Sequence, residues 1–325
     1  MDSIRNKKRL TIAISQVAPL IGLDNYGNFP RIVCELWRKI NPSEFREFEL
    51  NLKNAGFSLA NSSEMNDIWE VDEKFGTNIL EQVQTLNTNT GKTSHDMTKT
   101  QFKISEYINT QEKLSIEMKT ELIKKVCSIT NKLHGVNNEN IILDEFCRLS
   151  DKTIQKTQGW VEIPLNPTFP KNNTDLDLEN IDIEWVLVGK YDGITTDGEL
   201  VEAKMRQKNL FKSMRDYENV QVQLYLHALG FQNGFLVEGF SKSISNKKQD
   251  NMKQKNKTEL NLFTHEIKYD SNYVKEIILA RLNNFIKYFN NLMLDTTRKE
   301  NILKNNTSEW TLFLEEYLDL PQLDF

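Results

Sequence analysis

Two carboxylates and an ammonium fall close together in Val188-Gly-Lys-Tyr-Asp192-Gly-Ile-Thr-Thr-Asp-Gly-Glu-Leu-Val-Glu202-Ala-Lys204, with nine residues between Asp192 and Glu202. Read as a strand, Glu199–Met205 alternates its side chains. Leu200, Glu202 and Lys204 then share one face, and Val201, Ala203 and Met205 the other. Asp197-Gly198 is a turn signal, and a hairpin there folds the preceding strand back until Asp192 approaches Glu202. Converging carboxylates make a hard-oxygen site suited to Mg2+ or Mn2+, with the Ala203 carbonyl as a further oxygen and water in the remaining positions. Lys204 beside such a cation would orient or help deprotonate a water that attacks phosphorus, while the metal neutralises charge on the phosphate and the leaving oxygen. Each fragment alone has a plainer reading, since an exposed Glu–Lys pair contributes little and Asp-Gly is common in turns. Joined in one hairpin, they point to phosphoryl chemistry.

The flanking sequence supplies the elements that would hold this hairpin. Thr153–Leu165, Ile183–Ile194, Glu199–Met205, Gly234–Phe240 and Leu260–Ile267 have strand character. Asp216–Phe231 returns to helical spacing, Val274–Leu294 is a long amphipathic helix, and a short helix surrounds Trp310–Leu318. Residues 1–45 read as helical with a loop. Ser15 can cap a helix running to Ile21, and Pro30 suits the first turn of Arg31–Ile40. Residues 44–85 carry helical apolar spacing. Residues 112–134 and 140–149 read as two helices divided by His134-Gly135. The tract Asn87–His95 is polar and loop-like. It contains Gly91-Lys92-Thr93, but Leu86 stands where a phosphate-binding loop needs its first glycine, so that reading fails. Trp37, Trp160, Trp185 and Trp310 read as packing residues. The fold class is α+β: a small mixed sheet flanked by helices, with extra helices at both ends.

In this order the motifs resemble the PD-(D/E)xK nucleases, and within them the lambda-type alkaline exonucleases, the YqaJ-like viral recombinase family. The resemblance rests on Ala13-Ile-Ser15 with Glu35-Leu-Trp37, on Gly135-Val-Asn-Asn-Glu139, on Asp192-Gly with Glu202-Ala-Lys204, and on Gln221-Val-Gln223-Leu-Tyr225. It implies that Asp192 and Glu202 hold the metal, with the Ala203 carbonyl beside them, and that Lys204 positions the attacking water. Glu139 would add a carboxylate from the preceding helix. Gln221, one turn from Tyr225 on the same helical face, would hold the water or the scissile phosphate; without the other motifs it would read as a surface glutamine. Ser15 fits the family's terminal-phosphate pocket or, equally, an ordinary helix cap, and Arg9 would be that pocket's cation. Asp182 reads as a further site carboxylate or as part of a solvated acidic run, Asp175–Glu184. Lys190, Arg206, Lys208, Lys212 and Arg215 would line a groove for the nucleic-acid backbone.

The resemblance further implies one elaborated nuclease domain over residues 1–325. Its parts would be an N-terminal helical part of the active-site face (1–45), a helical insertion (46–125), the catalytic core (126–270) and C-terminal helices (271–325). The implied activity is a Mg2+-dependent exonuclease on duplex DNA, working 5′ to 3′ in recombination or DNA processing as a homotrimer, often beside a single-strand annealing protein. An endonuclease on the same core and a catalytically silent DNA-binding protein of this fold are the alternatives.

Composition sets outer bounds. With 41 Lys+Arg against 46 Asp+Glu the net charge is −5, which speaks against nucleic acid only if the charge is evenly spread. Cys34, Cys127 and Cys147 are odd in number and widely spaced. That suits thiols in a reducing intracellular compartment, an infected host cell among them, and excludes a C-x-x-C zinc site. No apolar run approaches the ~20 residues of a membrane span, so no membrane partner is expected.

Overall fold

The computed structural model describes residues 6–318, leaving aside 25–26, 58, 61–62, 88–93, 166–180, 245–256 and 306. The Gly91-Lys92-Thr93 tract, most of the Asp175–Glu184 run and the Asp182 side chain lie outside the described residues.

One mixed six-stranded sheet organises the chain, and the α+β expectation holds. Its spine is β3 (Ile181–Thr195). β1 (Asn6–Ala13) runs parallel to β3 and pairs along it as far as Ala13 opposite Val188. β2 (Ile154–Leu165) pairs with β3 antiparallel and shares the stretch Trp185–Val188 with β1, so β1 and β2 occupy opposite edges of the spine. β4 (Leu200–Arg206) then takes over the edge that β1 leaves, through only two pairs, Gly193 with Val201 and Ile194 with Leu200. The turn between them closes through the Thr195 N–H donating to Glu199 O at 2.9 Å, with Gly198 at φ +75° as the left-handed residue such a turn requires. β5 (Asn233–Ile244) lies parallel to β4 and β6 (Lys257–Lys268) antiparallel to β5. The parallel pair needs a crossover, which helix α8 (Asp216–Leu229, numbered by its place in the chain) supplies.

Helices cover both sheet faces. On one, α1 (Val17–Leu20), α2 (Phe29–Ile40), α3 (Pro42–Asn54), α8 and the C-terminal helices share the main core with Leu10, Ile12, Trp185, Leu187 and Leu200. Those C-terminal elements are a π-helical segment (Tyr273–Leu279) leading into α9 (Ala280–Leu292), then α10 (Thr296–Leu303) and α11 (Thr307–Tyr317). α4 (Glu64–Phe75), α5 (Ile79–Asn87) and α6 (Ser94–Thr110) build a second, separate core with the start of α7 (Ile116–Ser150), around Ile68, Ile79, Ile104, Leu122 and Val126. The end of α7 packs Ile142, Leu143 and Phe146 on Val201, Ala203, Phe235 and Val237.

Three local expectations are corrected. Residues 6–13 form a strand and not part of a helical segment; Leu10 and Ile12 alternate into the core, and pairing with distant β3 settles the conformation. The expected pair of helices around His134-Gly135 is the single helix α7. Glycine costs about 1 kcal/mol in a helix interior, and packing at both ends of α7 outweighs it. The second apolar core begins at Ile68, whereas Leu52, Leu59 and Ala60 from the expected insertion belong to the main core. No described helix is long and apolar enough to cross a membrane.

Candidate active site

The functional side chains converge where β3 passes from β1 to β4. Between Val188, the last partner of β1, and Gly193, the first partner of β4, this edge of β3 is unladdered. Asp192 fills the gap: its Oδ2 accepts the Ala203 N–H at 2.8 Å, a donor the short ladder leaves spare. Ala203 thus meets Asp192 through its N–H, while its side chain packs under α7.

Glu202 and Lys204 sit two residues apart on β4, and Lys204 Nζ donates to Glu202 Oε1 at 2.8 Å. From α8, Gln221 Nε2 donates to the same oxygen at 2.8 Å, and Gln221 Oε1 accepts from Lys204 at 3.2 Å. Tyr225, one helical turn further, lies 3.3 Å from Gln221 Nε2 and donates its hydroxyl to Lys190 O at 2.9 Å, fixing α8 to the spine strand. This contact depends on Gly189, where an added Cβ would stand 2.6 Å from the Tyr225 ring. Asp192, Glu202, Lys204, Gln221 and Tyr225 therefore form one contiguous cluster.

The cluster holds more carboxylate than its donors satisfy. Glu202 is 3% exposed, and its Oε2 is buried with no hydrogen-bond donor. Burial, then Asp192 and Glu139, pushes the Glu202 carboxyl up to about 8 against the opposing charge of Lys204. Burial, then Asp192, pushes Glu139 up to about 7. Burial also raises Asp192, although the Ala203 N–H, Lys204 and Lys190 draw it down. Burial opposes the charge on Lys204, but Glu202 and Asp192 overcome it and hold the ammonium above its ordinary range. Three carboxyl groups from two strands and one helix thus share a field that Lys204, with Lys190 further out, does not neutralise. An orphaned buried oxygen beside a second carboxylate is a position for a proton or a hard cation. The donor set, all carboxylate oxygen, fits Mg2+ or Mn2+. Among the described residues no three His, Cys, Asp or Glu side chains close a metal cage by themselves, so a cation here would complete its shell with water.

Other predicted residues are placed differently. Arg206, expected in a backbone groove, is 8% exposed. It donates to both oxygens of Glu218 at 2.7 and 3.0 Å and to Glu238 at 3.0 Å. Its role is internal, because β4 turns that side chain under the loop that follows. Lys208, Lys212 and Arg215 remain exposed on that loop. Arg9 is turned to Glu162 in an exposed ion pair at 2.5 Å. Ser15 lies exposed within a 3-10 turn (Ile14–Gln16) and is not its cap; Gln16 Oε1 instead accepts the Ala13 N–H at 3.2 Å. The cation linked to that turn is Arg31, which the sequence reading missed: Glu35 accepts from Arg31 Nε at 3.1 Å and from Gln16 at 3.1 Å. The i,i+4 spacing of Arg31 and Glu35 was the available signal. Trp37 and Trp185 are buried as expected, but Trp160 is not.

No family model matches the sequence, and no curated protein matches it. Among solved structures the chain is similar to SSO0001, at 14% identity over 53% of this chain and 66% of that one, with a TM-score of 0.33. It is also similar to the alkaline exonuclease LHK-Exo from Laribacter hongkongensis, at 12% identity over 60% of this chain and 92% of that one, with a TM-score of 0.31. The complex of LHK-Exo with dAMP gives 14% identity, 67% and 91% coverage and a TM-score of 0.30. At these values no conclusion about activity follows from the likeness.

Proposed function

We propose that this chain is a divalent-metal-dependent deoxyribonuclease built on a PD-(D/E)xK core. The observation that carries this reading is the unsatisfied carboxylate cluster. Glu202 keeps a buried oxygen without a donor beside Asp192, and a lysine and a glutamine are locked onto its other oxygen. A purely structural Glu–Lys pair would not bury a third and a fourth polar partner around a free lone pair.

Asp192 and Glu202 would hold the cation, with Glu139 contributing directly or through water. When bound, the cation supplies Lewis-acid stabilisation of the phosphate and lowers the pKa of a coordinated water. Lys204, held by Glu202 and Gln221, presents a fixed positive charge to the attacking water and to the phosphate oxygens. Gln221, anchored at both ends of its amide, orients that water. Tyr225 keeps α8 in register with the site through Lys190 O.

The finer reading is an exonuclease that digests duplex DNA 5′ to 3′ in recombination or DNA processing, as a homotrimer with a single-strand annealing protein as partner. An endonuclease is the second reading, and one observation favours it: Arg9, the cation expected beside Ser15 in a 5′-phosphate anchor, is engaged with Glu162 instead. End-labelled linear duplex, circular duplex and single-stranded DNA, each with and without Mg2+, separate the two. Release of 5′ mononucleotides from linear duplex supports the exonuclease, and nicking of the circle supports the endonuclease. Absence of Mg2+-dependent cleavage on all three, or cleavage undiminished in Asp192→Asn, sinks the nuclease reading.

A further inference from the structure

Trp160 is 72% exposed in the middle of β2. From Gly159 to Leu165 the strand alternates, with Gly159, Val161, Ile163 and Leu165 buried and Trp160 turned out, so the outward direction of the indole is set by the register of this half of β2. Its partner across the ladder is Lys190, and directly opposed residues project from the same face about 5 Å apart. Lys190 and Asp192 are two positions apart on the same strand, roughly 7 Å along it. Trp160 therefore stands roughly 9 Å from Asp192 by strand geometry, two to three steps of a stacked nucleic-acid strand at about 3.4 Å each.

The surroundings are polar and cationic. Lys190 Nζ is steadied by Gln158 Oε1 at 2.7 Å. On the opposite face of the strand pair, Lys156 holds its ammonium 5.7 Å from the centre of the Tyr191 ring. The hydroxyl of Tyr191 in turn lies against Gly159, where a Cβ would meet it at 2.0 Å. Glycine at 159 lets β2 sit tightly on the spine strand next to the indole. A large aromatic face on a rigid strand, beside Lys190 and a few base steps from a phosphodiester site, matches how single strands are held: a cation meets the backbone and a ring takes a base.

We propose that Trp160 is a stacking platform for a base of the strand whose phosphodiester enters the Asp192–Glu202 site, with Lys190 meeting the adjoining phosphate. This rests on the nuclease reading above and adds to it a residue that positions substrate from β2.

The test measures binding of a dye-labelled duplex with a short single-stranded end in the non-cleaving Asp192→Asn background, beside the same DNA carrying abasic positions at that end. Trp160→Ala is expected to weaken binding of the intact probe about 5- to 160-fold, the span of one base–aromatic stack, and Trp160→Phe to retain most of it. The abasic probe should bind the Asp192→Asn protein as weakly as the intact probe binds the Trp160→Ala form, and the two losses should not add. Because the side chain is exposed, melting curves of the variants should overlay. Equal binding of the intact probe with and without the indole overturns the inference, as do additive losses. A change in oligomeric state on Trp160→Ala with unchanged DNA affinity also overturns it, in favour of a contact between copies. Failure of the nuclease reading looks different: the wild-type chain then cleaves none of the DNA forms, whereas failure here leaves cleavage intact and KM for DNA unchanged in Trp160→Ala.

Discussion

Four residues apart on β4, Glu202 and Arg206 each sit in a buried cluster of charge, and the two clusters are opposites. Around Arg206 every carboxylate oxygen is answered. The guanidinium meets Glu218 and Glu238, and Glu238 also accepts from the Phe211 N–H at 2.6 Å and lies 3.2 Å from His265. Burial works to raise Glu238, but Arg206 and His265 hold it below the usual carboxylate range. Around Glu202 three carboxyl groups outnumber Lys204 and Lys190, an oxygen is left over, and Glu202 moves the other way, up to about 8. A closed cluster rigidifies the loop after the strand, while an open one leaves a buried oxygen to be met by a proton or, on the reading proposed above, by a hard cation.

The largest effect that would break this contrast is on catalysis. Asp192→Asn or Glu202→Gln should lower Mg2+-dependent cleavage by roughly a hundred- to thousandfold or more, with no loss in the melting temperature of the metal-free protein above pH 8, where a buried like charge is removed. Lys204→Ala should cost about a hundredfold or more in rate. In the closed cluster, Glu218→Gln should instead cost about 3–5 kcal/mol in urea unfolding by stranding part of the charge on Arg206, with cleavage per folded molecule retained. If Glu218→Gln proved catalytically dead yet stable, the distinction between the clusters would collapse.

The pH dependence sharpens it. Glu202, raised from 4.5 to about 8, and Glu139, raised to about 7, are protonated in the folded chain over a range in which the unfolded chain is ionised. The folded state then binds more protons, so metal-free stability should fall as pH rises from about 4.5 and level off above about 8, by on the order of a few kcal/mol. Mg2+ competes with those protons, so its stabilising shift in melting temperature should be small at pH 5 and largest near pH 8. A shift independent of pH would separate the metal from these carboxylates. The smallest expected effect lies outside both clusters. Gly135 is helical with open space where a Cβ would go, so Gly135→Ala should add about 0.5–1 kcal/mol to stability with cleavage unchanged.

What could be read from the sequence follows the distance over which each feature is decided. Asp192, Glu202 and Lys204 lie in one hairpin, and Gln221 and Tyr225 are one helical turn apart, so local periodicity places each set. Arg206 was out of reach because its partners arrive from α8 and β5, 12 and 32 residues away. β1 was missed for the same reason: Asn6-Lys-Lys-Arg has no strand signature until β3 supplies the partner. Trp160 misled in the opposite sense, because tryptophan is ordinarily a packing residue and only the register shows it facing out.

Helix α7 has a consequence for anyone wishing to trim this protein. Its 35 residues make a rod of about 52 Å, whose first half is lined by the small helical core and whose last turns lie on the sheet, with Glu139 at the junction. Deleting residues 64–113 as a surface ornament would strip the cover from Leu122, Val126 and Ile129, and a half-naked rod frays or aggregates. The fray would run toward the residue that brings the third carboxylate. A minimal catalytic fragment should therefore redesign the outer half of α7 with a polar face before any of the preceding helices is removed.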